Sequence, residues 1–467
     1  MPLWTAGDAA TATGGLSASD WVATGVSIDT RSLSAGDLFV ALRGPNHDGH
    51  DFLATALARG AAAAVVDRDI PDLPMAAPLL RVADTLAGLA ALGAAARERS
   101  NARVIAVTGS VGKTGTKEAL RLALAACGPT FASVGGLNNQ WGAPLSLARM
   151  PPAAAYGIFE LGMNHPGEIT VLTRLVRPHV AVITTVEPAH LGFFPSLEAI
   201  ADAKAEIFLG LEPGGIAVLN RDNPHFDRLS AAAIRAGAAD VIGFGTHPEA
   251  TVRLLDCVLG PRSSTIEAAL PGAVLRFVLP IPGRHWAMNS LAVLAAVAAA
   301  GADPRRAAEA LTELEALPGR GRRCELSWRG GTLILIDETY NASPAAVDAA
   351  LAVLGATPPA DGGRRVAVLG DMLELGAASE RLHRKLAELL AAAKVDRVFL
   401  VGEAVGVLYD ALPKAKRGGL WPTADAAMPG LLSFLRSGDI VTVKGSRAVG
   451  LGRIVERLRA ESARPET

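Results

Sequence analysis

The segment Thr108–Thr114 has the residue types and the spacing of a phosphate-binding loop. It reads Thr-Gly-Ser-Val-Gly-Lys-Thr, follows the β-branched run Arg103–Val107 and precedes a stretch with helical spacing, Lys113–Cys127. Glycines allow backbone N–H groups to close around phosphate oxygens, and the positive end of the following helix attracts the same anion. The sequence therefore predicts that this loop holds the phosphates of ATP.

Individual roles in the loop follow from its chemistry. Lys113 is expected to reach the β- and γ-phosphates, and Thr114 to offer its hydroxyl to Mg²⁺. Val107 stands where the longer GxxxxGK[ST] loop has its first glycine, so this is the shorter GxxGK[ST] form. A glycine-rich turn with a lone lysine is the ordinary alternative, which the flanking strand and helix disfavour. The backbone groups expected to meet the phosphates belong to Gly109, Ser110, Val111 and Gly112.

Two further side chains are expected at the same edge of the sheet. Glu160 ends the apolar strand Gly157–Leu161, and His190 follows the strand Val180–Thr184. A carboxylate and a neutral imidazole there can hold a second Mg²⁺ beside the γ-phosphate. The ordinary alternatives are a surface carboxylate and a turn histidine satisfied by backbone. By composition alone, Lys204 is a solvated helix lysine.

Composition narrows the class of protein. The 467 residues carry a net charge of −1, so no nucleic-acid or membrane-surface partner is predicted. Cys127, Cys257 and Cys324 lie far apart without a CxxC pair, which favours a reducing cytoplasm. The first residues, Met1–Gly15, lack the pattern of a signal peptide. The most apolar stretch, near Ser290–Ala300, is short enough to predict a buried helix rather than a membrane span.

Strands and helices alternate along most of the chain, which predicts an α/β fold with mostly parallel sheets. We divide it into three domains, 1–101, 102–317 and 318–467, with the second boundary at Leu317–Gly319. The predicted strands outside the phosphate loop region are Leu38–Leu42, Ala63–Val66, Leu79–Val82, Ile216–Leu219, Thr332–Ile336, Arg365–Leu369, Arg397–Val401 and Asp439–Val443.

In the third domain each strand stops at a polar or glycine-bearing turn. Because ligands of open parallel sheets bind beyond the carboxyl ends of the strands, these turns are expected along one edge. The turns are Asp337-Glu338, Gly370-Asp371, Gly402-Glu403 and Lys444-Gly445-Ser446-Arg447.

Taken in order, these motifs resemble those of the Mur ligases, ATP-dependent enzymes that build the peptide stem of bacterial cell-wall precursors. The resemblance covers nearly the whole chain. It implies a small α/β UDP-binding domain, a central P-loop ATPase domain with a mostly parallel sheet, and a C-terminal Rossmann-like domain. The motifs that carry it are Thr108–Thr114, Asn138-Asn139 with Gly142, Glu160-Leu161-Gly162, the His190 turn, Lys204, and Gly283-Arg284-His285 with Asn289.

Within the family, the sequence is most similar to members that join D-alanyl-D-alanine to UDP-N-acetylmuramoyl-tripeptide. Members that add diaminopimelate or lysine typically carry a DNP[RK] motif in the third domain, and none is found there. The similar letters of Asp222–His225 lie in the central domain, where we predict a turn. The segments that point to the D-alanyl-D-alanine-adding members are Ser27–Ser32, Gly36–Leu42, Asp48–His50, Leu137–Leu145, Gly370–Gly376 and Lys444–Arg447.

The resemblance also implies residue roles. Lys204 would be carbamylated, which turns a cation into an anion that supports the second Mg²⁺. Asn289 would meet the adenine, Arg320 the phosphates and Asp337 the ribose hydroxyls, while Tyr340 and Asn341 would line the nucleotide or the incoming peptide. The remaining substrate contacts would come from Thr30, Arg31, Ser32, Asn138, Asn139, Lys444, Ser446 and Arg447.

Some positions depart from the family pattern. The family more often has Ser at 339, Asn at 343 and Ser at 346, where this chain has Thr339, Ser343 and Ala346. Trp286 follows His285 where Asn is usual, so only His285 and Asn289 carry over from that motif. For Arg31, a surface arginine without a ligand is an equal alternative.

The implied reaction forms an amide through an acyl phosphate, with ATP and two Mg²⁺ ions as expected cofactors, in a cytoplasmic monomer. Two alternatives stay open. The first is another amide ligase of this superfamily, such as folylpolyglutamate synthase, which the UDP-type first domain disfavours. The second is a non-catalytic nucleotide switch, which would not need Glu160, His190 and the polar turns of the third domain.

Overall fold

The structure is a computed structural model that describes residues 2–17, 19–70, 73, 77–189, 191–360 and 362–463. It contains three larger sheets, one in each third of the chain, and a two-stranded pairing of β1 with β3 near the N-terminus. Most neighbouring strands in the three sheets are parallel, and helices connect them. The predicted α/β class is therefore confirmed.

The first domain holds a five-stranded sheet in the order β2-β7-β6-β5-β4, parallel except for the β2–β7 pair. Its strands are β1 (Trp4–Thr5), β2 (Leu16–Ser17), β3 (Val22–Ala23), β4 (Gly25–Ser27), β5 (Asp37–Val40), β6 (Ala63–Val66) and β7 (Leu79–Arg81). Its helices are α1 (Ala6–Thr13), α2 (Leu53–Ala58) and α3 (Thr85–Glu98).

The central domain holds a nine-stranded sheet in the order β16-β15-β14-β13-β12-β11-β8-β10-β9, in which β14, β15 and β16 form an antiparallel meander. Its strands are β8 (Arg103–Thr108), β9 (Thr130–Ala132), β10 (Tyr156–Glu160), β11 (Val180–Ile183), β12 (Ile216–Asn220), β13 (Asp240–Gly245), β14 (Val252–Leu259), β15 (Ser264–Leu270) and β16 (Ala273–Leu279). Its helices are α4 (Lys113–Ala125), α5 (Gly142–Ala148), α6 (Glu168–Val176), α7 (Leu197–Ala205), α8 (Phe226–Arg235), α9 (Arg284–Ala299) and α10 (Pro304–Ala310).

The C-terminal domain holds a six-stranded sheet in the order β17-β18-β22-β19-β20-β21, parallel except for the β17–β18 hairpin. Its strands are β17 (Arg322–Trp328), β18 (Gly331–Glu338), β19 (Arg365–Gly370), β20 (Arg397–Val401), β21 (Arg417–Trp421) and β22 (Ile440–Lys444). Its helices are α11 (Pro344–Ala356), α12 (Ser379–Ala392), α13 (Gly406–Ala411), α14 (Ala424–Phe434) and α15 (Gly452–Ser462). Short 3₁₀ helices occupy Gly49–Phe52, Glu206–Gly210, Leu311–Glu313, Gly376–Ala378, Lys414–Lys416 and Arg447–Val449.

Helix α9 contains most of the most apolar stretch in the sequence, near Ser290–Ala300. Eleven of its side chains are buried, and it packs on α4 and on the central sheet. In the part of the chain that the structure describes, every helix falls short of the length and apolar character needed to cross a bilayer.

The meander β14–β16 was not anticipated from the sequence. Along β15 buried and partly exposed residues alternate, and along β16 Val274 and Val278 face outward. A two-faced strand with small and polar residues on one side gives a weaker apolar signal than a buried parallel strand such as β8.

Candidate functional site

A cavity of about 1070 Å³ opens where the carboxyl ends of central-domain strands face the C-terminal domain. The phosphate loop and Glu160 form one wall, while Arg320, Tyr340 and Lys444 belong to the opposite wall. Parallel pairing explains the first wall, since Glu160 pairs with Val107 in the sheet next to the loop. The cavity therefore collects groups that are distant in sequence.

The phosphate loop has the backbone that its glycines allow. Gly109 and Gly112 have φ values of 148° and 91°, which L side chains rarely adopt. A Cβ at Gly109 would collide with the Thr184 side chain, and one at Gly112 would lie 2.9 Å from Asn289 Oδ1. Both positions thus require glycine for reasons of conformation and of space.

Two hydroxyl contacts anchor the loop from the next strand. Thr184 Oγ1 donates to Val111 O at 2.6 Å, and Ser110 Oγ donates to Glu187 O at 3.0 Å. Ser110 N also donates to Thr185 O at 2.9 Å. These bonds fix the loop against the segment that follows β11, so its shape does not depend on local propensity alone.

Lys113 begins helix α4 with its ammonium inside the loop, where Nζ donates to Gly109 O at 2.7 Å. Burial lowers the pKa of Lys113; the Glu160 carboxylate opposes that shift, and the Arg320 guanidinium adds to it. Three charged groups from two domains therefore interact electrostatically here. A phosphate between them would meet two cations and favour the charged form of the lysine.

Glu160 is 2% exposed, and both of its carboxylate oxygens accept hydrogen bonds. Thr114 Oγ1 donates to Oε2 at 2.8 Å, and Asn138 Nδ2 donates to Oε1 at 2.7 Å. The predicted grouping of Thr114 with Glu160 is thus present, and Asn138 joins it.

Lys204 lies in the last turn of α7 and is buried, with 2% exposure. The solvated lysine suggested by composition is therefore wrong, because tertiary packing covers this face of the helix. Burial lowers the pKa of Lys204 well below its ordinary value, and Lys113 lowers it further. Among the described residues its ammonium has neither a hydrogen bond nor an ion pair. Lys204 does not line the cavity itself.

His190 lies outside the described residues. Its neighbours join the two walls, since Gly192 N donates to Glu374 O at 2.8 Å. The described residues contain no group of three or more His, Cys, Asp or Glu side chains that could hold a metal ion.

In the C-terminal wall, Tyr340 carries two guanidinium groups over its ring. Arg320 lies 3.7 Å from the ring centroid and Arg447 lies 5.7 Å from it. Cation–π contacts of this kind hold arginines in place while leaving their N–H donors available. Tyr340 thus presents two cations to the cavity.

Lys444, at the end of β22, is buried and bonds to two oxygen atoms. Its Nζ lies 3.3 Å from Glu338 Oε2 and donates to Asn341 O at 3.1 Å. Ser446 Oγ accepts from Leu373 N at 2.9 Å. Lys444 and Ser446 therefore shape the turns of this wall, and Arg447 is the more exposed cation beside them.

Asp337 and Asn139 have structural partners in this conformation. Asp337 accepts from Gly319 N at 3.0 Å and from Thr339 Oγ1 at 2.7 Å, and it lies behind the cavity wall. Asn139 Oδ1 accepts from Gly142 N at 3.0 Å, where α5 begins. Asn139 and Asn289 both line the cavity, Asn289 beside Gly112.

The loop Thr30–Ser32 lies in the first domain and does not line the cavity. Arg31 is 88% exposed and forms an ion pair with Asp29 at 2.6 Å, which raises the pKa of the arginine. The structure therefore does not bring these three residues together with the phosphate loop.

Lys117, behind the phosphate loop, and Trp141, in the cavity wall, are among the residues that the sequence did not mark as functional. Lys117 is buried one turn after Lys113 and donates to the chain at Ser133. Trp141 lines the cavity and approaches Gly44 of the first domain. The i, i+4 spacing of two lysines on one helix was the available signal for Lys117, and the segment Leu137–Leu145, which carries the family resemblance, was the signal for Trp141.

Three family models match successive parts of the chain. They are described as "Mur ligase family, catalytic domain" over residues 22–119, "Mur ligase middle domain" over 107–297, and "Mur ligase, glutamate ligase domain" over 322–447.

Two relatives that match almost the full length of the chain carry the same name. The UDP-N-acetylmuramoyl-tripeptide–D-alanyl-D-alanine ligase of Escherichia coli is 36% identical over 452 residues, which is 96% of this chain and 96% of that protein. The enzyme of the same name from Rickettsia prowazekii is 33% identical over 431 residues, 92% of this chain and 94% of its own.

Solved structures of MurF enzymes are also similar to this chain. A crystal structure of MurF from Acinetobacter baumannii superposes with a TM-score of 0.85 at 31% identity, covering 98% of this chain and 99% of that chain. MurF ligase from Thermotoga maritima in complex with ADP has a TM-score of 0.76 at 28% identity, with coverages of 94% and 97%.

Proposed function

The chain belongs to the Mur ligase family, and on that premise we propose that it joins D-alanyl-D-alanine to UDP-N-acetylmuramoyl-tripeptide with the consumption of ATP. Relatives of that name match almost the full length of the chain. The single observation that carries the chemistry is the shared cavity, in which Lys113 of one domain faces Arg320 of another. Such a site can bring two anions together.

In the first step, a terminal carboxylate oxygen of the tripeptide attacks the γ-phosphorus. The bond from phosphorus to the β,γ-bridging oxygen breaks, ADP leaves, and an acyl phosphate remains. Because carboxylate and triphosphate repel each other, the site must offset their charge. Lys113 and Arg320 supply that offset from opposite walls, with the loop N–H groups around the phosphates.

In the second step, the neutral amine of D-alanyl-D-alanine attacks the acyl carbon. The tetrahedral intermediate collapses as the C–O bond to phosphate breaks, which gives the amide and inorganic phosphate. The amine proton goes to His190 or to a phosphate oxygen. No protein nucleophile takes part, so the site needs positioning and charge rather than a catalytic triad.

The residues present fit the first of the two proposed Mg²⁺ ions, at the phosphate loop. A hydroxyl and a buried carboxylate, Thr114 and Glu160, lie 2.8 Å apart at the mouth of the phosphate loop. Such hard oxygen donors suit Mg²⁺, which also keeps water and phosphate ligands. When bound, Mg²⁺ would supply charge neutralisation at the transferring phosphoryl group. Asn138 orients the carboxylate.

For the second Mg²⁺ we propose Glu160 and His190, supported by Lys204 as a carbamate. The support for the carbamate is burial without a partner, since a lysine with a lowered pKa holds a neutral, nucleophilic amine. In the reaction the amine nitrogen bonds to the carbon of CO₂ and one proton is released. The product is an anion, which a neighbouring cation stabilises.

The three domains would divide the substrates. Residues 1–101 would hold the UDP end through Thr30, Arg31 and Ser32, and 102–317 would hold the ATP phosphates. Residues 318–467 would cover the nucleotide and present the dipeptide near Tyr340, Asn341 and Arg447. Asn289 would meet the adenine. Asp337 would reach the ribose only after exchanging its present backbone partners. The unit would act as a cytoplasmic monomer.

A reconstituted assay tests the proposal. Purified protein with ATP, Mg²⁺, UDP-N-acetylmuramoyl-tripeptide and D-alanyl-D-alanine should release phosphate and form a product heavier by the dipeptide, as read by mass spectrometry. Omission of any one component should stop both signals. Phosphate release that ignores D-alanyl-D-alanine would refute the assignment, and nucleotide binding without amide product would favour a switch. A parallel panel with glutamate and folate acceptors covers the folylpolyglutamate-type alternative.

A further inference from the structure

Lys117 is a fully buried lysine for which the proposed reaction has no use. It lies in α4, one turn after Lys113, and its side chain has no exposed surface. Its Nζ donates to Ser133 O at 2.6 Å and to Gly135 O at 3.1 Å, and it pairs with Glu118 at 2.9 Å.

Burying an ammonium costs free energy unless its donors are satisfied. A lysine has three N–H donors, and here three oxygen partners take them. Two of those partners are main-chain carbonyls of one short segment, Ser133–Gly135. The lysine therefore fixes the position of that backbone relative to helix α4.

The segment Ser133–Gly135 in turn leads to the buried carboxylate of the cavity. Ser133 Oγ accepts from Glu160 N at 3.3 Å, and three residues after Gly135 the Asn138 side chain donates to Glu160 Oε1 at 2.7 Å. Glu160 is thus held at its backbone and at its carboxylate by the stretch of chain that Lys117 anchors.

From these contacts we propose that Lys117 is a positioning residue that sets the Glu160 carboxylate against Thr114 for the Mg²⁺ of the bound nucleotide. This inference rests on the proposed function for its role in turnover. Lys117 acts through the chain segment that holds Glu160, because Lys117 itself contacts neither phosphate nor substrate. Groups that orient a ligand to a metal typically change metal affinity or activity about 10–100-fold when removed.

A purely structural role is the competing explanation, and the chain offers a matched control for it. Glu118 bridges Lys117 and the exposed Arg121 at the surface. Glu118→Gln removes the ion pair but leaves both carbonyl bonds of Lys117 in place. Lys117→Met removes the carbonyl bonds and leaves an unbranched side chain that is one atom shorter.

The test measures Mg²⁺-dependent ADP binding by titration calorimetry together with steady-state ligation. For Lys117→Met we expect the Mg²⁺ concentration that half-saturates both signals to rise about tenfold or more, with KM for the UDP substrate within about twofold of wild type. Glu118→Gln should lower thermal stability at most, and Lys117→Arg, which retains donors, should recover part of the Mg²⁺ response.

Unchanged Mg²⁺ dependence in a folded Lys117→Met protein would overturn the proposal, and so would an equal shift in Glu118→Gln. If Lys117→Met fails to fold, Ser133→Ala decides, because it removes the acceptor of Glu160 N; a wild-type Mg²⁺ response there refutes the link. Calorimetry with ADP needs no acceptor substrate, so a wild-type protein that binds MgADP but makes no amide would defeat the proposed function while leaving this inference tested.

Discussion

Glu160 combines burial with two hydrogen bonds to its carboxylate, from Thr114 and Asn138. Burying a carboxylate without a directly bonded cation costs free energy. A metal ion that arrives with the nucleotide would offset that cost, which explains a buried carboxylate beside a phosphate loop. At this scale, the positive charge of a bound Mg²⁺, as proposed, would balance the charge of the Glu160 carboxylate.

Replacing Glu160 by Gln keeps the shape of the side chain and removes the charge. We expect kcat for ligation to fall about 10–100-fold and the Mg²⁺ requirement to rise, because a neutral amide binds Mg²⁺ weakly. Phosphate release measured across Mg²⁺ concentrations checks this. Glu249→Gln, at an exposed carboxylate paired with Arg221, serves as the control. Wild-type Mg²⁺ dependence in Glu160→Gln would remove the residue from the metal site.

Lys204 gives a second test at a single residue. Lys204→Ala should lose most ligation activity, and short-chain carboxylic acids should restore part of it by replacing the carbamate in the space left by the side chain. Activity is measured with and without added acid. Lys385→Ala, at an exposed lysine of α12, should respond to neither change. Full activity in Lys204→Ala without added acid would refute the carbamate.

At the scale of elements, the turn from β8 to α4 shows how backbone conformation fixes a binding site. Gly112 is the residue before the helix, has a φ of 91°, and lies against Asn289 of α9. The loop is therefore shaped by a second helix as well as by its own glycines.

Gly112→Ala should weaken ADP binding roughly tenfold. A side chain in the left-handed region costs about 1–2 kcal/mol, and about 1.4 kcal/mol corresponds to a factor of ten in binding. Titration calorimetry with ADP measures the effect. Gly7→Ala, in α1 with open space around it and no positive φ, should bind ADP as wild type does. Equal affinities in all three proteins would contradict the loop geometry.

The pairing of β8 with the start of β11 is sensitive to pH through His179. Val104 N donates to His179 Nδ1 at 2.9 Å, so the ring must be neutral. Burial, with Arg103 and Arg97 adding to it, lowers the pKa of His179 to about 4. The unfolded chain, with an ordinary value of 6.5, binds the proton first as the pH falls. Stability is therefore lost between about pH 6.5 and 4.

We expect His179→Asn to lose less stability than wild type over that window, because an amide oxygen can accept from Val104 without titrating. The difference should reach about 2 kcal/mol once partial exposure is allowed for. Urea unfolding at pH 7 and at pH 4.5 measures it. Burial also lowers the pKa of His285 to about 4, so the variant keeps that residue's share of the pH dependence. Identical pH profiles would show that His179 does not control this strand pair.

At the scale of the whole molecule, the first two domains share a hydrophobic cluster, while the third meets the second across the cavity. Leu145 and Ala148 of α5 pack within the first-domain core, and Arg149 Nε donates to Val26 O. Across the cavity, a Cβ at Gly136 would lie 2.6 Å from Tyr340 Oη. We expect ligation by groups from both walls to depend on this close approach.

Gly136→Ala should therefore hold the walls apart and lower kcat about tenfold or more, since small misplacements of reacting groups are costly. Adding Tyr340→Phe removes the hydroxyl, after which the nearest ring atom is Tyr340 Cζ at 3.9 Å, an ordinary contact. The double variant should recover activity relative to Gly136→Ala, with Tyr340→Phe alone as the reference. Additive losses in the double variant would show that the contact does not control turnover.

The sequence by itself determined the three α/β units and the phosphate loop, because buried parallel strands and glycine-rich turns leave local patterns that few other structures share. It also predicted the position of Glu160 at the end of the strand beside the loop strand, where the structure has it, while its role as a metal ligand stays a prediction. The family pattern pointed to Arg320, Tyr340 and Asn289, all of which line the cavity.

Only the tertiary structure decided which side chains are buried away from solvent. Lys117 and Lys204 resemble ordinary helix lysines in the sequence, yet both are buried, because the faces they occupy are covered by chain segments distant in sequence. Asp337 accepts hydrogen bonds from Gly319 N, which is distant in sequence, and from the Thr339 hydroxyl, and the local sequence does not reveal the first of these contacts. Burial and partner choice depend on long-range packing, and local sequence carries little information about which distant segment will arrive.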